Sequence, residues 1–236
     1  MPKSVFASQT TIPQPILEMY YDMEQRLLKR KTWQEISDQD LWNELCLCIL
    51  ASNVPFEQAQ SAIEHLKQNN LTEPHWILKN PNSWKIIATE LSKPICLPRK
   101  KDGEFRKYRF PNVRAKNIAN ACSFLYSTNG SLKNLLKHFE SEEFARNYLS
   151  KNISGLGLKE SSHFLRNIGY ATSLAIIDVH IISFLKNLKL ISEISSLTDS
   201  KYYELEDKMR KLANFYGISL AILDNAIWNY MKFRLK

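Results

Sequence analysis

The sequence contains little glycine and cysteine and no long apolar run. Its 236 residues include six glycines and four cysteines, and alternating β-branched runs are almost absent, which argues against a β-sheet protein and a disulfide scaffold. The longest apolar run, residues 45–51, is shorter than the roughly 20 residues that span a bilayer. The N-terminal sequence MPKSVFASQTTIPQP lacks the apolar region of a secretory signal. We therefore expect a cytoplasmic protein with no membrane partner.

The four cysteines do not form a pattern that is typical of a metal site. Cys46 and Cys48 are two residues apart in an apolar helical run, so their side chains point to different faces of the helix. Cys96 and Cys122 stand alone, and no CxxC pair occurs. The sequence predicts reduced thiols in the core, with no zinc site, no iron–sulfur cluster and no other metal.

The chain carries an excess of positive charge. It has 32 Lys and Arg against 24 Asp and Glu, a net charge of +8. Such a surface favours polyanionic partners, nucleic acid first and an anionic membrane second, although surplus lysines without such a partner are the alternative. Basic side chains are concentrated in residues 95–110, where the Asp102–Gly103 pair predicts a short β-hairpin. This hairpin either contacts phosphates or is a solvated loop.

Apolar residues recur at helical spacing through nearly the whole chain. The first helix has a stripe that contains Ile16, Tyr20 and Leu27, and Asp38 or Asp40 is expected to cap the second. The pattern predicts an all-α protein of many short helices. They cover residues 15–31, a segment that ends at 50, 55–67, 81–91, 113–126, 131–138, 142–151, 159–168, 179–187, 199–215 and 218 to the end.

Between two of these helices lies the turn Gly155–Leu156–Gly157. The two glycines permit backbone torsions that are closed to other residues and let a ligand approach the main chain. The turn opens a helix N-terminus, where free amides and the helix dipole favour an anion. Leu156 would pack the two helices together. The pattern predicts a helix-hairpin-helix motif that binds a DNA phosphate, with a tight interhelical turn without DNA as the alternative.

Two ionisable residues near this turn predict an enzyme. Lys159 lies at the positive end of the next helix, where an ammonium is disfavoured, and a neutral amine can attack an anomeric carbon and form a Schiff base. Asp178 follows three apolar residues and is either a helix N-cap, a catalytic carboxylate that accepts the Lys159 proton and stabilises positive charge on the sugar, or both. Phosphate binding is the alternative role for Lys159. His163, one turn later, is expected to reach a phosphate or the cleft, whereas His180 is expected to pack or form a hydrogen bond between helices.

Three segments, 44–53, 153–181 and 223–228, resemble the HhH-GPD superfamily of DNA glycosylases, in particular the archaeal-type 8-oxoguanine DNA glycosylase/lyases. The resemblance implies two helical lobes with the active site in the cleft between them. A middle lobe would span 34–172, and 1–33 with 173–236 would form the second. Such enzymes flip 8-oxoguanine out of duplex DNA, excise it and cleave the strand by β-elimination, with no diffusible cofactor. We expect a nucleoid-associated monomer whose partner is double-stranded DNA that contains an oxidised base.

The resemblance also implies roles for single residues. Lys159 matches the nucleophile and Asp178 the catalytic acid of the family. Asn53 matches the side chain that fills the gap left by the extruded base. The predicted base-recognition residues are Phe110 and Trp228, which would stack on the base, and the C-terminal Lys236. Asp224 is a further candidate from its position alone: it lies one turn before Trp228 on the same helix face, where it would accept hydrogen bonds from a purine edge, with a solvated carboxylate as the alternative.

The sequence departs from the family pattern at three places. Ser154 replaces a proline of the hairpin, the segment 93–107 is longer than expected, and the C-terminal tail is about one residue short. The last two leave base specificity open. Two alternatives therefore remain: the same chemistry on another damaged base, and a non-catalytic helix-hairpin-helix protein that binds DNA.

Overall fold

The computed structural model describes residues 11–27, 31–128 and 130–234. The chain forms two compact units. We call Lys31–Tyr170 the middle unit, and Met1–Arg30 together with Ala171–Lys236 the terminal unit.

The middle unit is helical, with one small hairpin. Its elements are α2 (Asp38–Ala51), α3 (Phe56–Gln68), α4 (Pro74–Lys79), α5 (Ser83–Leu91), β1 (Pro94–Cys96), β2 (Arg106–Lys107), α6 (Pro111–Thr128), α7 (Leu132–Lys137), α8 (Glu142–Asn152) and α9 (Leu158–Asn167). The terminal unit contains α1 (Gln14–Leu27), α10 (Val179–Asn187), α11 (Asp199–Tyr216) and α12 (Leu220–Arg234). The prediction of an all-α fold is confirmed.

Helix α2 forms the centre of the middle unit. Its residues from Leu45 to Leu50 are all buried, so every side of this stretch faces protein, and α3, α6, α7 and α9 pack around it. A helix that is apolar on all sides is stable only when it is surrounded in this way. The helix begins after Ser37, whose hydroxyl accepts the N–H of Asp40 at 3.0 Å.

The prediction that an aspartate caps α2 was wrong. Asp38 instead accepts the hydroxyl of Tyr126 and the N–H of Lys133, both at 2.9 Å. It therefore joins the start of α2 to α6 and α7, and the preceding Ser37 is left to cap the helix. An N-cap residue lies just before the helix, where its side chain reaches the free amides of the first turn. Asp38 is already the first residue of the helix.

The predicted hairpin is present, and its two strands cover only the ends of the basic segment. Strand β1 pairs antiparallel with β2, and Pro94 lies opposite Lys107. The connecting turn is closed by Asp102, whose side chain accepts the N–H of Glu104 at 3.0 Å. Gly103 adopts φ +87° at this turn, a conformation that glycine adopts readily.

The bounds of the other predicted helices agree with the structure within a few residues where it describes them, and one helix was missed. The helix predicted over 81–91 begins at Ser83, and the short helix α4 was not predicted. Its six residues are too few to show an apolar period. All four cysteines are free and buried, which confirms the prediction of core thiols.

The terminal unit packs α1, α10 and α11 against α12. Ile16 and Tyr20 are buried in α1, as the apolar stripe predicts. The hydroxyl of Tyr20 accepts the N–H of Ser219 at 2.9 Å, just before α12 begins. Across the described parts of both units, no helix has the length and apolar character needed to cross a bilayer.

Candidate active site

The helix-hairpin-helix turn lies in the middle unit, between the packed helices α8 and α9. Ile153 and Leu156 are buried under the turn, and Leu156 N–H donates to the Ile153 carbonyl at 3.2 Å. Gly155 has φ +88°, and a Cβ atom there would lie 2.5 Å from Nδ2 of Asn117 on α6. Both the torsion and the close contact therefore require glycine at this position.

The first turn of α9 contains a carboxylate that the sequence analysis missed. Glu160 accepts the N–H of Gly157 at 3.3 Å through Oε2. Its Oε1 lies 3.8 Å from Nζ of Lys159. The signal was available, because a glutamate three residues after an N-cap is half of a capping box. A negative charge at this helix end also stabilises the helix dipole.

Lys159, the predicted nucleophile, is the second residue of α9. Its side chain is 41% exposed, whereas that of Glu160 is 13% exposed. The amine therefore lies at the surface of the middle unit, beside the predicted phosphate-binding turn. A small molecule or DNA strand bound at Gly157 would lie close to this amine.

His163 lies one turn further along α9. Burial, together with the positive charges of Arg166 and Lys159, lowers the pKa of His163 to about 3. The imidazole is therefore neutral near pH 7 and does not act as a cation. The predicted phosphate contact of His163 stays a prediction, in which a neutral N–H would be the donor.

Asn53 and Phe110 lie on one patch of the middle unit. Asn53 is exposed and left-handed, with φ +57°, two residues after the end of α2. Phe110 is half-buried at the start of α6, and the guanidinium of Arg114 lies 5.8 Å from its ring centroid. The same guanidinium donates to the carbonyl of Ser52 at 2.8 Å. Arg114 therefore contacts both the turn that carries Asn53 and the predicted stacking ring.

Asp178, in the terminal unit, is the N-cap of α10. Its Oδ1 accepts the N–H of His180 at 2.9 Å and that of Ile181 at 3.0 Å. Within the described chain, Oδ2 has no hydrogen bond, and the residue is half-exposed. The prediction of a cap is confirmed, and the cap leaves one carboxylate oxygen available for chemistry.

The extended segment before Asp178 is held by buried side chains of α11 and α12. Glu206 accepts the N–H of Ala175 at 3.0 Å, and Tyr202 donates to the Ala175 carbonyl at 2.8 Å. Asp224 accepts the N–H of Ile176 at 3.0 Å. The sequence analysis did not identify Glu206 or Tyr202, and the only signal was an acidic residue at a core position of α11.

The structure corrects the predicted role of Asp224. The sequence predicts that this carboxylate meets a purine edge, or else that it is solvated. In the structure it is only 1% exposed and is bound to the main chain of Ile176. A carboxylate buried in this way positions the segment that ends at Asp178 and does not face a ligand.

Trp228 is half-buried on α12, in contact with two cationic or ionisable side chains of the terminal unit. The ring of His180 packs edge-on against it at a centroid distance of 5.9 Å. The Nζ of Lys232 lies 4.6 Å from the Trp228 ring centroid. The prediction that His180 packs between helices is confirmed. Lys236, the other predicted base-recognition residue, lies outside the described residues.

Comparison with known proteins gives this arrangement a family. Residues 98–218 match the family model described as 8-oxoguanine DNA glycosylase. The 8-oxoguanine DNA glycosylase/AP lyase of Sulfurisphaera tokodaii is 36% identical over 191 residues, which cover 80% of each chain. The chain belongs to the 8-oxoguanine DNA glycosylase family. The relative of the same description from Methanocaldococcus jannaschii is 32% identical over 207 residues, 87% of each chain.

A solved member of the family has the same fold. The crystal structure of Methanocaldococcus jannaschii 8-oxoguanine glycosylase/lyase in complex with 15mer DNA containing 8-oxoguanine matches with a TM-score of 0.71 and 29% identity. The match covers 91% of this chain and 94% of that chain. The similarity therefore extends over both units of this chain.

Proposed function

We propose that this chain excises 8-oxoguanine from duplex DNA and then cleaves the strand at the resulting abasic site, acting on the nucleoid. One observation carries the proposal: in a chain of this family, Lys159 lies two residues after the glycine turn, with its amine at the surface. A phosphate bound by the turn would bring the adjacent sugar to this amine.

The base must leave the stack before the sugar can react. Extrusion costs a few kcal/mol, and stacking on aromatic rings returns about 1–3 kcal/mol per base. We assign Asn53 to the gap in the duplex and Phe110 and Trp228 to the extruded base. Lys236 is assigned to recognition of the base by its ammonium and terminal carboxylate.

The chemistry begins when the neutral amine of Lys159 attacks C1′ of the deoxyribose. The C1′–N bond breaks, the base departs with the bonding electrons and takes up a proton, and the sugar ring opens to a Schiff base. Loss of a proton from C2′ then breaks the C3′–O bond, which cleaves the strand. Water hydrolyses the remaining imine and releases Lys159.

Asp178 is assigned to stabilise the positive charge that develops on the sugar as the base departs. The cap supports this role, because Oδ1 is bound to two main-chain amides and Oδ2 is not. A carboxylate fixed through one oxygen is already oriented when the charge develops, so it loses no energy to reorganisation. The proposal requires that this carboxylate and the Lys159 amine meet at one deoxyribose.

Borohydride trapping tests the proposal. Wild type should form a covalent adduct with an 8-oxoguanine duplex, and Lys159→Gln should form none. Lys151→Gln, which removes an exposed lysine at the end of α8, is the matched control. If Lys159→Gln still traps, another amine is the nucleophile. Asp178→Asn keeps the cap acceptor and should slow excision by about 100-fold or more, the usual size of an electrostatic contribution.

A different damaged base is the second candidate. It is favoured by the longer basic segment, which forms the hairpin that leads directly into Tyr108 and Phe110. A competition assay with duplexes that carry 8-oxoguanine or oxidised pyrimidines decides between the candidates. Preferred excision of a pyrimidine lesion would replace the substrate and leave the Lys159 chemistry in place.

A further inference from the structure

We propose that Arg114 is a positioning residue for base extrusion, because it fixes the turn that carries Asn53 and the ring of Phe110 as one rigid element. The inference rests on the proposed function, in which these two side chains replace and receive the extruded base. It concerns contacts within the middle unit alone.

The end of helix α2 is held by side chains from a later segment of the chain. The last carbonyls of a helix have no partner within the helix and need one elsewhere. Here two side chains of one downstream segment supply the donors. Tyr108 donates its hydroxyl to the carbonyl of Leu50 at 2.6 Å, and Arg114 donates Nη2 to the carbonyl of Ser52 at 2.8 Å.

Tyr108 is a permanent donor in this arrangement. Its side chain is 3% exposed, and burial raises the pKa of its hydroxyl well above the usual value. The hydroxyl therefore keeps its proton near neutral pH. Tyr108 and Arg114 thus fix the main chain on either side of Ala51, directly before Asn53.

The turn after α2 holds Asn53 in a left-handed conformation. A residue other than glycine is disfavoured in the left-handed region, although asparagine tolerates it better than most. Asn53 adopts φ +57° and is exposed, so packing of its own side chain does not hold it there. The contact of Arg114 with the preceding carbonyl supplies an external restraint on this turn.

Arg114 is also linked to Phe110. The N–H of Arg114 donates to the carbonyl of Phe110 at 3.1 Å in the first turn of α6, so the two residues share one helical turn. The guanidinium lies 5.8 Å from the ring centroid, within the range of a cation–π contact. One side chain therefore sets the distance between the turn and the ring.

Arg109 is the competing candidate for this role. Its guanidinium is 4.9 Å from the centroid of Phe110, but its hydrogen bond to the carbonyl of Asn53 is long, at 3.5 Å. The residue is exposed, and solvent competes for such a contact. Arg114 has the shorter bond and is half-buried, so the restraint is assigned to it.

This role separates two steps of the reaction. Extrusion of a paired base needs the turn and the ring in place together. A preformed abasic site contains no base to extrude, so the Lys159 amine reaches its sugar without help from Arg114. Loss of Arg114 should therefore slow base excision and spare Schiff-base formation at an abasic site.

The experiment compares both reactions in the full-length chain. Arg114→Met removes the donor and the charge, and Lys116→Gln removes a charge from the exposed side of the same helix as the matched control. We expect Arg114→Met to lower the single-turnover rate of 8-oxoguanine excision about tenfold or more, which corresponds to one lost interaction in the transition state. Trapping on abasic-site DNA should change by less than about threefold. Lys116→Gln should leave the ratio of the two rates unchanged.

Two further measurements separate positioning from folding and charge. Arg114→Lys keeps the charge and lacks the planar fork, so it should restore little of the excision rate. A lesion opposite an abasic site is easier to extrude, so the Arg114→Met deficit should shrink on that duplex. If Arg114→Met does not fold, Tyr108→Phe, which loses the hydroxyl that bonds to the Leu50 carbonyl, takes its place with the same two assays.

Three results would overturn the inference: equal losses in excision and trapping, full rescue by Arg114→Lys, or unchanged excision in both Arg114→Met and Tyr108→Phe. Failure of the proposed function has a different signature. In that case wild type itself excises no oxidised base and forms no adduct on any duplex.

Discussion

The carboxylate of Asp224 accepts the main-chain N–H of Ile176 at 3.0 Å, two residues before Asp178. This bond joins α12 to the extended segment that leads into α10. Because the carboxylate is buried, it replaces the strand partner that an extended segment usually has. The position of Asp178 in the terminal unit is thus set by a side chain of another helix, α12.

Replacement of Asp224 should therefore reduce both stability and activity. Asp224→Ala leaves the Ile176 N–H buried without an acceptor, which costs about 1–3 kcal/mol of unfolding free energy. Urea denaturation measures this loss, and single-turnover excision should fall with it because Asp178 is displaced. Asp224→Asn keeps an acceptor oxygen and should retain most of both. If Asp224→Ala kept wild-type stability and lost only its preference for 8-oxoguanine, the result would favour the purine contact that the sequence predicts for Asp224.

Gly155 and Gly103 allow a matched test of the hairpin turn. Both have φ near +90°, but an added Cβ meets Asn117 at 2.5 Å only at Gly155, and nothing within 4 Å at Gly103. Gly103→Ala should cost the torsional strain alone, about 1–2 kcal/mol. Gly155→Ala should cost more and should weaken DNA binding, measured by denaturation and fluorescence anisotropy. Asn117→Ala should recover part of the Gly155→Ala loss, and equal costs at the two glycines would show that the contact with Asn117 is unimportant.

His163 should make the protein less stable in mild acid. Its pKa is about 3 in the folded chain, because desolvation and two nearby cations disfavour the charged imidazole, against about 6.5 when unfolded. The unfolded state therefore binds more protons between these values, and stability from this group is present above pH 6.5 and is lost as the pH falls toward 3. The loss amounts to about 2 kcal/mol at pH 5.

Denaturation at pH 7.5 and pH 5 tests this expectation. His163→Gln should remove most of the difference between the two pH values, whereas His138→Gln, at an exposed site, should not. A pH dependence that survives in His163→Gln would assign the effect to other groups.

The negative charge of Glu160 should weaken the binding of DNA at the glycine turn. Its carboxylate bonds to the N–H of Gly157, and a phosphate at the turn would compete for that amide and be repelled by the charge. Glu160→Gln keeps an acceptor and removes the charge, so affinity for undamaged duplex should rise by about twofold to fivefold at low salt. Anisotropy at two salt concentrations measures this change. Weaker binding by Glu160→Gln would show that the carboxylate orders the turn for DNA.

Features that depend on neighbouring residues were predictable from the sequence. The bounds of α10 and the Asp178 cap agree with the prediction, because a capping aspartate is recognised from the residues beside it. The hairpin around Asp102 follows from its turn residues in the same way. The free, buried cysteines follow from their place in apolar runs.

Features that depend on distant residues were not predictable. Asp224 lies one turn before Trp228, and this spacing does not show that its carboxylate bonds to Ile176, which is 48 residues earlier in the sequence. The N-cap of α2 was misassigned because Asp38 has partners on α6 and α7, 88 and 95 residues along the chain. A sequence pattern reports faces and ends of helices, whereas the partner of a buried polar group is chosen by packing.

The segment from Leu174 to Asp178 has a consequence for protein engineering. Its main-chain amides are bonded to side chains of Tyr202, Glu206 and Asp224. A transplant of this loop and α10 into another helical scaffold would carry the capping aspartate and leave those three amides without acceptors. A designer who wishes to move the acid must therefore move α11 and α12 with it.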